Sequence, residues 1–253
     1  MDLLNSDECI FIPSKNSKRD LIFLHGYTSS NSFPDRVKNF FIKQHQFNII
    51  ACNSRGHGKR KNRNYENKEQ VKQTVNEYTE LIQERLKNGY EVNVIGNSMG
   101  ASMALTLGNN IPEINKVFVI AGLNGKNMFD VPLSVKKKYE ILFQKKEQDV
   151  FKPDILEAMP YNSNKCNKQN KKKYYFIHSL NDGVVPIHNM VQNMQELCLI
   201  TNNEKNIIDN GYKIDTNENL LVLDTNSNIR NILSHVMPNF RNDVIQFINK
   251  NLK

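Results

Sequence analysis

Ser98 lies between two glycines in Gly96-Asn97-Ser98-Met99-Gly100, directly after Val92, Val94 and Ile95 and directly before Ala101, Met103, Ala104 and Leu105. The first run suits a buried strand and the second a helix pressed against a sheet. Two readings follow. The pentapeptide is either a glycine-softened turn or a nucleophile held on a tight strand-to-helix turn, where small flanking residues let the two elements approach closely. A serine hydroxyl is a poor nucleophile at neutral pH. It needs a base within hydrogen-bond reach and a carboxylate that fixes the tautomer of that base.

Partners for such a serine are sought where a parallel sheet gathers reactive groups, at the carboxyl ends of its strands. Short apolar runs predict strands at 20–25, 47–52, 91–96, 116–121, 173–178 and 219–224. Amphipathic runs predict helices at about 33–44, 68–88, 98–109, 186–199 and 237–252. The second of these shows Val71, Val75, Tyr78, Leu81, Ile82 and Leu86 at helical spacing, and Gly89 stops it. This alternation predicts one α/β domain over residues 1–253, with a mainly parallel central sheet flanked by helices. Asp182 follows the strand at 173–178, and His235 follows the last strand after a loop. The chain order Ser, Asp, His is the one expected for a nucleophile on this kind of sheet. Asp130, Asp209, Asp215 and Asp224 are rival acids. The first does not stand at a strand end, the next two lie in a polar stretch, and the last comes late for the role. Among other histidines, His25 and His57 fall in turns, His45 at an exposed helix end, His178 at a strand end and His188 at a helix start.

With those residues in place, the sequence resembles the α/β-hydrolase family, and within it small carboxylesterases and monoacylglycerol-lipase-like enzymes. The resemblance rests on HGYTSS at 25–30, SRGHG at 54–58, GNSMG at 96–100, NDGVVP at 181–186 and SHVMPN at 234–239. It implies Ser98 as nucleophile, Asp182 as acid and His235 as base. It further implies an oxyanion hole from the backbone N–H groups of Tyr27 and Met99. Two departures stand out. Ser234 replaces the glycine common before the histidine, and the segment resembling D-x-R-G-H-G-x-S carries Asn53 for the acid and Arg60 for the final serine.

About 50 residues separate the strands at 116–121 and 173–178, far more than an ordinary connection. This predicts a small cap inserted at about 122–172, with helices near 134–146 and 153–159. In the first, Val135, Tyr139 and Leu142 share a face, and Met128, Phe129, Val131 and Leu133 lead into it. Packing of that stripe on the sheet and a lid sheltering an acyl chain are both open. Phe129 and Leu142 are the substrate-contact candidates under the second.

The favoured expectation is a serine hydrolase acting on small carboxylic esters of short-to-medium acyl length. The same triad could serve a peptidase, a thioesterase or an acyltransferase. A non-catalytic binding protein on the same scaffold is the alternative of a different class. Neither metal-ligand spacing nor a phosphate- or dinucleotide-binding glycine motif occurs, so no cofactor or metal is implied. The net charge of +8 comes with abundant lysine and asparagine and no tryptophan, as an AT-rich genome would produce. The runs Lys59–Arg63 and Lys165–Lys173 hold few aromatics for stacking on bases, so they read as solvated loops and no nucleic-acid partner is expected. They leave room for weak contact with an acidic substrate or a membrane surface. No apolar run is long enough to span a bilayer, and no export signal is evident at the N-terminus. Cys9, Cys52, Cys166 and Cys198 are widely spaced and read as reduced thiols of a cytoplasmic protein.

Overall fold

The computed structural model describes residues 3–26, 29–31, 35–58, 68–122, 170–180, 182, 185, 187–200, 218–223 and 241–253. Within them a single seven-stranded sheet carries the fold. Its strands are β1 (Cys9–Ile12), β2 (Arg19–Leu24), β3 (Asn48–Cys52), β4 (Glu91–Asn97), β5 (Lys116–Ile120), β6 (Tyr174–Ser179) and β7 (Leu220–Leu223). The helices are α1 (Asp35–Gln44), α2 (Lys68–Lys87), α3 (Met99–Asn110), the single turn α4 (Asn170–Lys173), α5 (Ile187–Glu196) and α6 (Asn242–Asn251).

Strand side chains alternate between the two faces, and each face acquires its own core. Ile22, Leu24, Ile50, Val92, Val94, Val117, Val119 and Phe176 join the apolar residues of α2, α3 and α5. Leu21, Phe23, Ile49, Ile95, Phe118, Ile120 and Ile177 join Val37 and Phe41 of α1 and Val244, Ile245 and Ile248 of α6. Because both faces are covered, the strands read as continuous apolar runs rather than alternating ones.

The strand order is β1-β3-β2-β4-β5-β6-β7. All neighbours are parallel except β1 and β3, which run antiparallel. The chain leaves β2 toward β3 on one side and returns to β4 on the other. The loops after β2 and β4 therefore diverge, opening the crevice where doubly wound sheets hold their ligands. At the opposite ends of these strands, buried Asp20 accepts hydrogen bonds from Arg85 Nε (2.6 Å), Arg85 Nη2 (3.0 Å) and Asn48 Nδ2 (2.8 Å). That cluster ties α2 to the sheet.

Three expectations need correction or extension. Strand β1 was not foreseen. It is a four-residue edge strand whose Ile10, Phe11 and Ile12 favour extended backbone, and it pairs with β3. The thiols are not reduced: Cys9 and Cys52 are direct cross-strand partners joined by a disulfide, and Cys198 is disulfide-bonded as well. Free thiols therefore no longer argue for a cytoplasmic protein. The end of the Lys165–Lys173 run is not a solvated loop. Residues 170–173 form α4, and Lys173 Nζ turns inward to donate to the carbonyls of Gly108 (2.6 Å), Ile111 (3.1 Å) and Pro112 (3.2 Å). These carbonyls lie in and just beyond the last turn of α3, so the ammonium caps that helix. Burial pulls its pKa down to about 8, which leaves it charged at neutral pH. Lys59–Arg63 and the cap helices at 134–146 and 153–159 lie outside the described residues, as does most of the proposed insertion.

No helix among the described residues is long and apolar enough to cross a membrane.

Candidate active site

Ser98 occupies the turn between β4 and α3 with φ 53° and ψ −116°, a backbone region that side-chain-bearing residues rarely enter. The surroundings hold it there. Its N–H donates to the Ile120 carbonyl at the end of β5 (2.9 Å). Its own carbonyl accepts from Ala101 (2.9 Å) and Ser102 (3.2 Å), which starts α3. The two glycines serve the crossing. A Cβ on Gly96 would come 2.6 Å from Ala101 Cα, and one on Gly100 would come 2.6 Å from the His25 carbonyl oxygen and closer still to that of Leu24. Both distances are impossible for real atoms, so α3 can turn back this close to β4 only with glycine at 96, and pass this close to the end of β2 only with glycine at 100.

The segment after β2 runs beside the serine. A Cβ built on Gly26 would stand 3.3 Å from Ser98 Cβ. The Gly26 carbonyl accepts from Ser29 N–H (3.2 Å) and from His25 Nδ1 (2.8 Å), while His25 Nε2 accepts from Ser54 N–H (2.9 Å). Met99 supplies the first amide of α3 and is buried at the same turn. Helix-starting amides have no intrahelical acceptor and suit a developing negative charge.

Asp182 follows β6 two strands from Ser98, with its side chain fully buried. Its Oδ1 accepts from Val185 N–H (2.9 Å), and its own N–H donates to the Ser179 carbonyl (3.2 Å). His178 Nε2 donates to the Val185 carbonyl (2.8 Å) and stands 3.6 Å from Asp182 Oδ2. His178 thus braces the turn that carries the carboxylate, a role that its position four residues before an aspartate could have suggested. Tyr27, Phe129, Leu142 and His235 lie outside the described residues, as do the rival acids Asp130, Asp209, Asp215 and Asp224.

Burial dominates the chemistry of His25. It pushes the ring's pKa down to about 4, with the neighbouring His57 ring, 5.0 Å away between centroids, adding to the effect and the Gly26 carbonyl opposing it. The ring is neutral at physiological pH and serves structure rather than proton transfer. Among the described residues, no cluster of three histidine, cysteine or carboxylate side chains could hold a metal ion.

A mainly parallel seven-stranded sheet, covered on both faces and carrying a strained serine beside its switch point, is the fold of an α/β-hydrolase. The chain belongs to the family described as "Serine aminopeptidase, S33", whose model matches residues 15–196. No curated protein matches the sequence significantly. Solved structures share the fold at low identity. TT1662 from Thermus thermophilus is 17% identical with a TM-score of 0.60, covering 97% of this chain and 93% of its own. A Pyrococcus furiosus esterase is 19% identical with a TM-score of 0.56, covering 93% and 82%. A lipase-esterase related protein from Clostridium acetobutylicum is 17% identical with a TM-score of 0.52, covering 96% and 98%.

Proposed function

We propose that this chain is a serine hydrolase cleaving carboxylic esters of short-to-medium acyl length through an acyl-enzyme. The observation that carries the reading is the backbone of Ser98. A non-glycine residue at φ 53°, ψ −116° costs on the order of 1–3 kcal/mol, and such strain persists where a side chain must be presented. In the reaction, His235 takes the Ser98 hydroxyl proton as Oγ attacks the ester carbonyl. The N–H groups of Tyr27 and Met99 receive the oxyanion. His235 then returns the proton to the departing alcohol and activates the water that releases the acid. Asp182 holds the imidazole in its working tautomer. The single domain's insertion at 122–172 acts as a lid, with Phe129 and Leu142 against the acyl chain. An apolar pocket gains roughly 0.8 kcal/mol per buried methylene, so kcat/KM should climb from acetate until the pocket fills.

A second reading is favoured by the family description, an aminopeptidase. It keeps every residue role and exchanges the departing alcohol for an amine. A panel of nitrophenyl esters and aminoacyl amides on wild type and Ser98→Ala, with a fluorophosphonate probe of Ser98, separates the readings. Faster turnover of aminoacyl amides than of esters would overturn esterase in favour of peptidase. A folded protein whose Ser98 resists the probe would be a binding protein instead.

A further inference from the structure

We propose that Asn53 is a positioning residue for the loop carrying the Tyr27 amide, and that Glu8 sets its orientation; the inference rests on the oxyanion role given to that loop. Asn53 is buried immediately after β3. Its Oδ1 accepts from the backbone N–H of Asn31 (2.7 Å), and its Nδ2 donates to Glu8 Oε2 (2.9 Å). A backbone N–H can only donate and an ionised carboxylate can only accept, so these two neighbours admit one orientation of the amide. Around it, Asn53 N–H donates to the Glu8 carbonyl (2.8 Å), and Asn31 Nδ2 donates to the same carbonyl (3.1 Å).

The next residue grips the other flank. Ser54 N–H donates to His25 Nε2. Consecutive residues 53 and 54 therefore tie down positions 31 and 25, on either side of the Gly26–Ser29 hydrogen bond described above. A segment restrained at only one end would hold its proposed catalytic amide less firmly. A displacement of about 1 Å at a catalytic group is enough to cost on the order of 100-fold in rate. Such a loss falls on the transition state, where the oxyanion forms, and spares ground-state binding.

The chemistry of the pair supplies the test. In Asn53→Asp, a carboxylate can still accept from Asn31 but faces that of Glu8. In Glu8→Gln/Asn53→Asp, the carboxylate at position 53 still accepts from Asn31 N–H, and the amide at position 8 donates to it, so both bonds return with only the 8–53 bond reversed. Activity on a nitrophenyl ester and melting temperature would be measured for Asn53→Ala, Asn53→Asp, Glu8→Gln and the double variant. Expected are a 10- to 100-fold loss of kcat in Asn53→Ala with KM within about threefold, a comparable loss in Asn53→Asp at neutral pH, and recovery in the double variant to within a few-fold of Glu8→Gln. The Asn53→Asp loss should shrink as the pH falls and the paired carboxylates share a proton. An unchanged kcat in Asn53→Ala, or a double variant no better than Asn53→Asp, would overturn the proposal. Should Asn53→Ala not fold, the double variant decides alone. Tyr27→Pro, which deletes the amide, tests the underlying reading. If it retains kcat while Ser98→Ala is dead, the oxyanion assignment fails. If Tyr27→Pro is severe and Asn53→Ala harmless, only the positioning role fails.

Discussion

Ser54 donates its backbone N–H to Nε2 of His25 at 2.9 Å, and this bond decides which ring nitrogen carries the proton. Nε2 must offer a lone pair, so the hydrogen sits on Nδ1 and goes to the Gly26 carbonyl. Protonating the ring would break the Ser54 bond inside a buried site.

An acid limit to stability follows. Above pH about 6.5 the ring is neutral in both folded and unfolded chains and adds no pH dependence. Between about 6.5 and 4, the unfolded chain binds a proton that the folded chain refuses, so stability falls as the pH falls. At 1.36 kcal/mol per unit the loss reaches roughly 3 kcal/mol by pH 4. Urea midpoints measured from pH 7.5 to 4 should decline, and His25→Asn should flatten much of that decline. An equal slope in the variant would place the effect elsewhere.

Strain at Ser98 predicts a trade between stability and activity. Ser98→Ala and Ser98→Gly both remove the hydroxyl proposed as nucleophile and should abolish turnover. Only glycine relaxes a backbone at φ 53°, so Ser98→Gly should be more stable than Ser98→Ala by about 1 kcal/mol after allowing for glycine's looser unfolded chain. Equal melting temperatures would mean that the turn stores little strain.

The close approach of α3 to β4 and to β2 predicts where the smallest substitution does the greatest harm. Gly96→Ala and Gly100→Ala should each cost roughly 3 kcal/mol or more, or prevent folding, because backbone atoms rather than side chains stand in the way. A Gly100→Ala protein with wild-type melting and activity would contradict the packing described here.

The Cys9–Cys52 bond closes a separation of 43 residues, which in the chain-entropy treatment contributes about 4 kcal/mol. Purified without reductant, both cysteines should resist iodoacetamide in denaturant, and Cys9→Ser should lower the melting temperature. Full alkylation of both without reductant would remove the cross-link.

The outline of the sheet was legible because parallel strands buried on both faces print as short apolar runs. Each of the six expected strands lies within one residue of its observed bounds at either end, and the elbow serine falls between its strand and helix. What escaped notice depends on contacts distant in sequence. Strand β1 is held in the sheet by β3 beside it and by the disulfide that fastens them. Lys173 looked like one lysine among many, since nothing local reveals that three carbonyls of another segment converge on it. Asn53 stood out only as a departure from an acidic motif. Its use became visible when the fold brought Glu8 and Asn31 to its two polar ends.

Helix α3 ends on the Lys173 ammonium and begins at Ser98, and its residues from Met99 to Gly108 are all buried. Twelve residues span about 18 Å, and little water lies alongside to screen the aligned peptide dipoles. A cation at the foot cancels the helix's negative pole and leaves the positive pole at its head unopposed. The element therefore works as an antenna for charge, tuned from its far end. Removing the cation with Lys173→Met should slow attack at Ser98 by less than tenfold while leaving the elbow's geometry unchanged, a purely through-space effect that added salt would barely weaken.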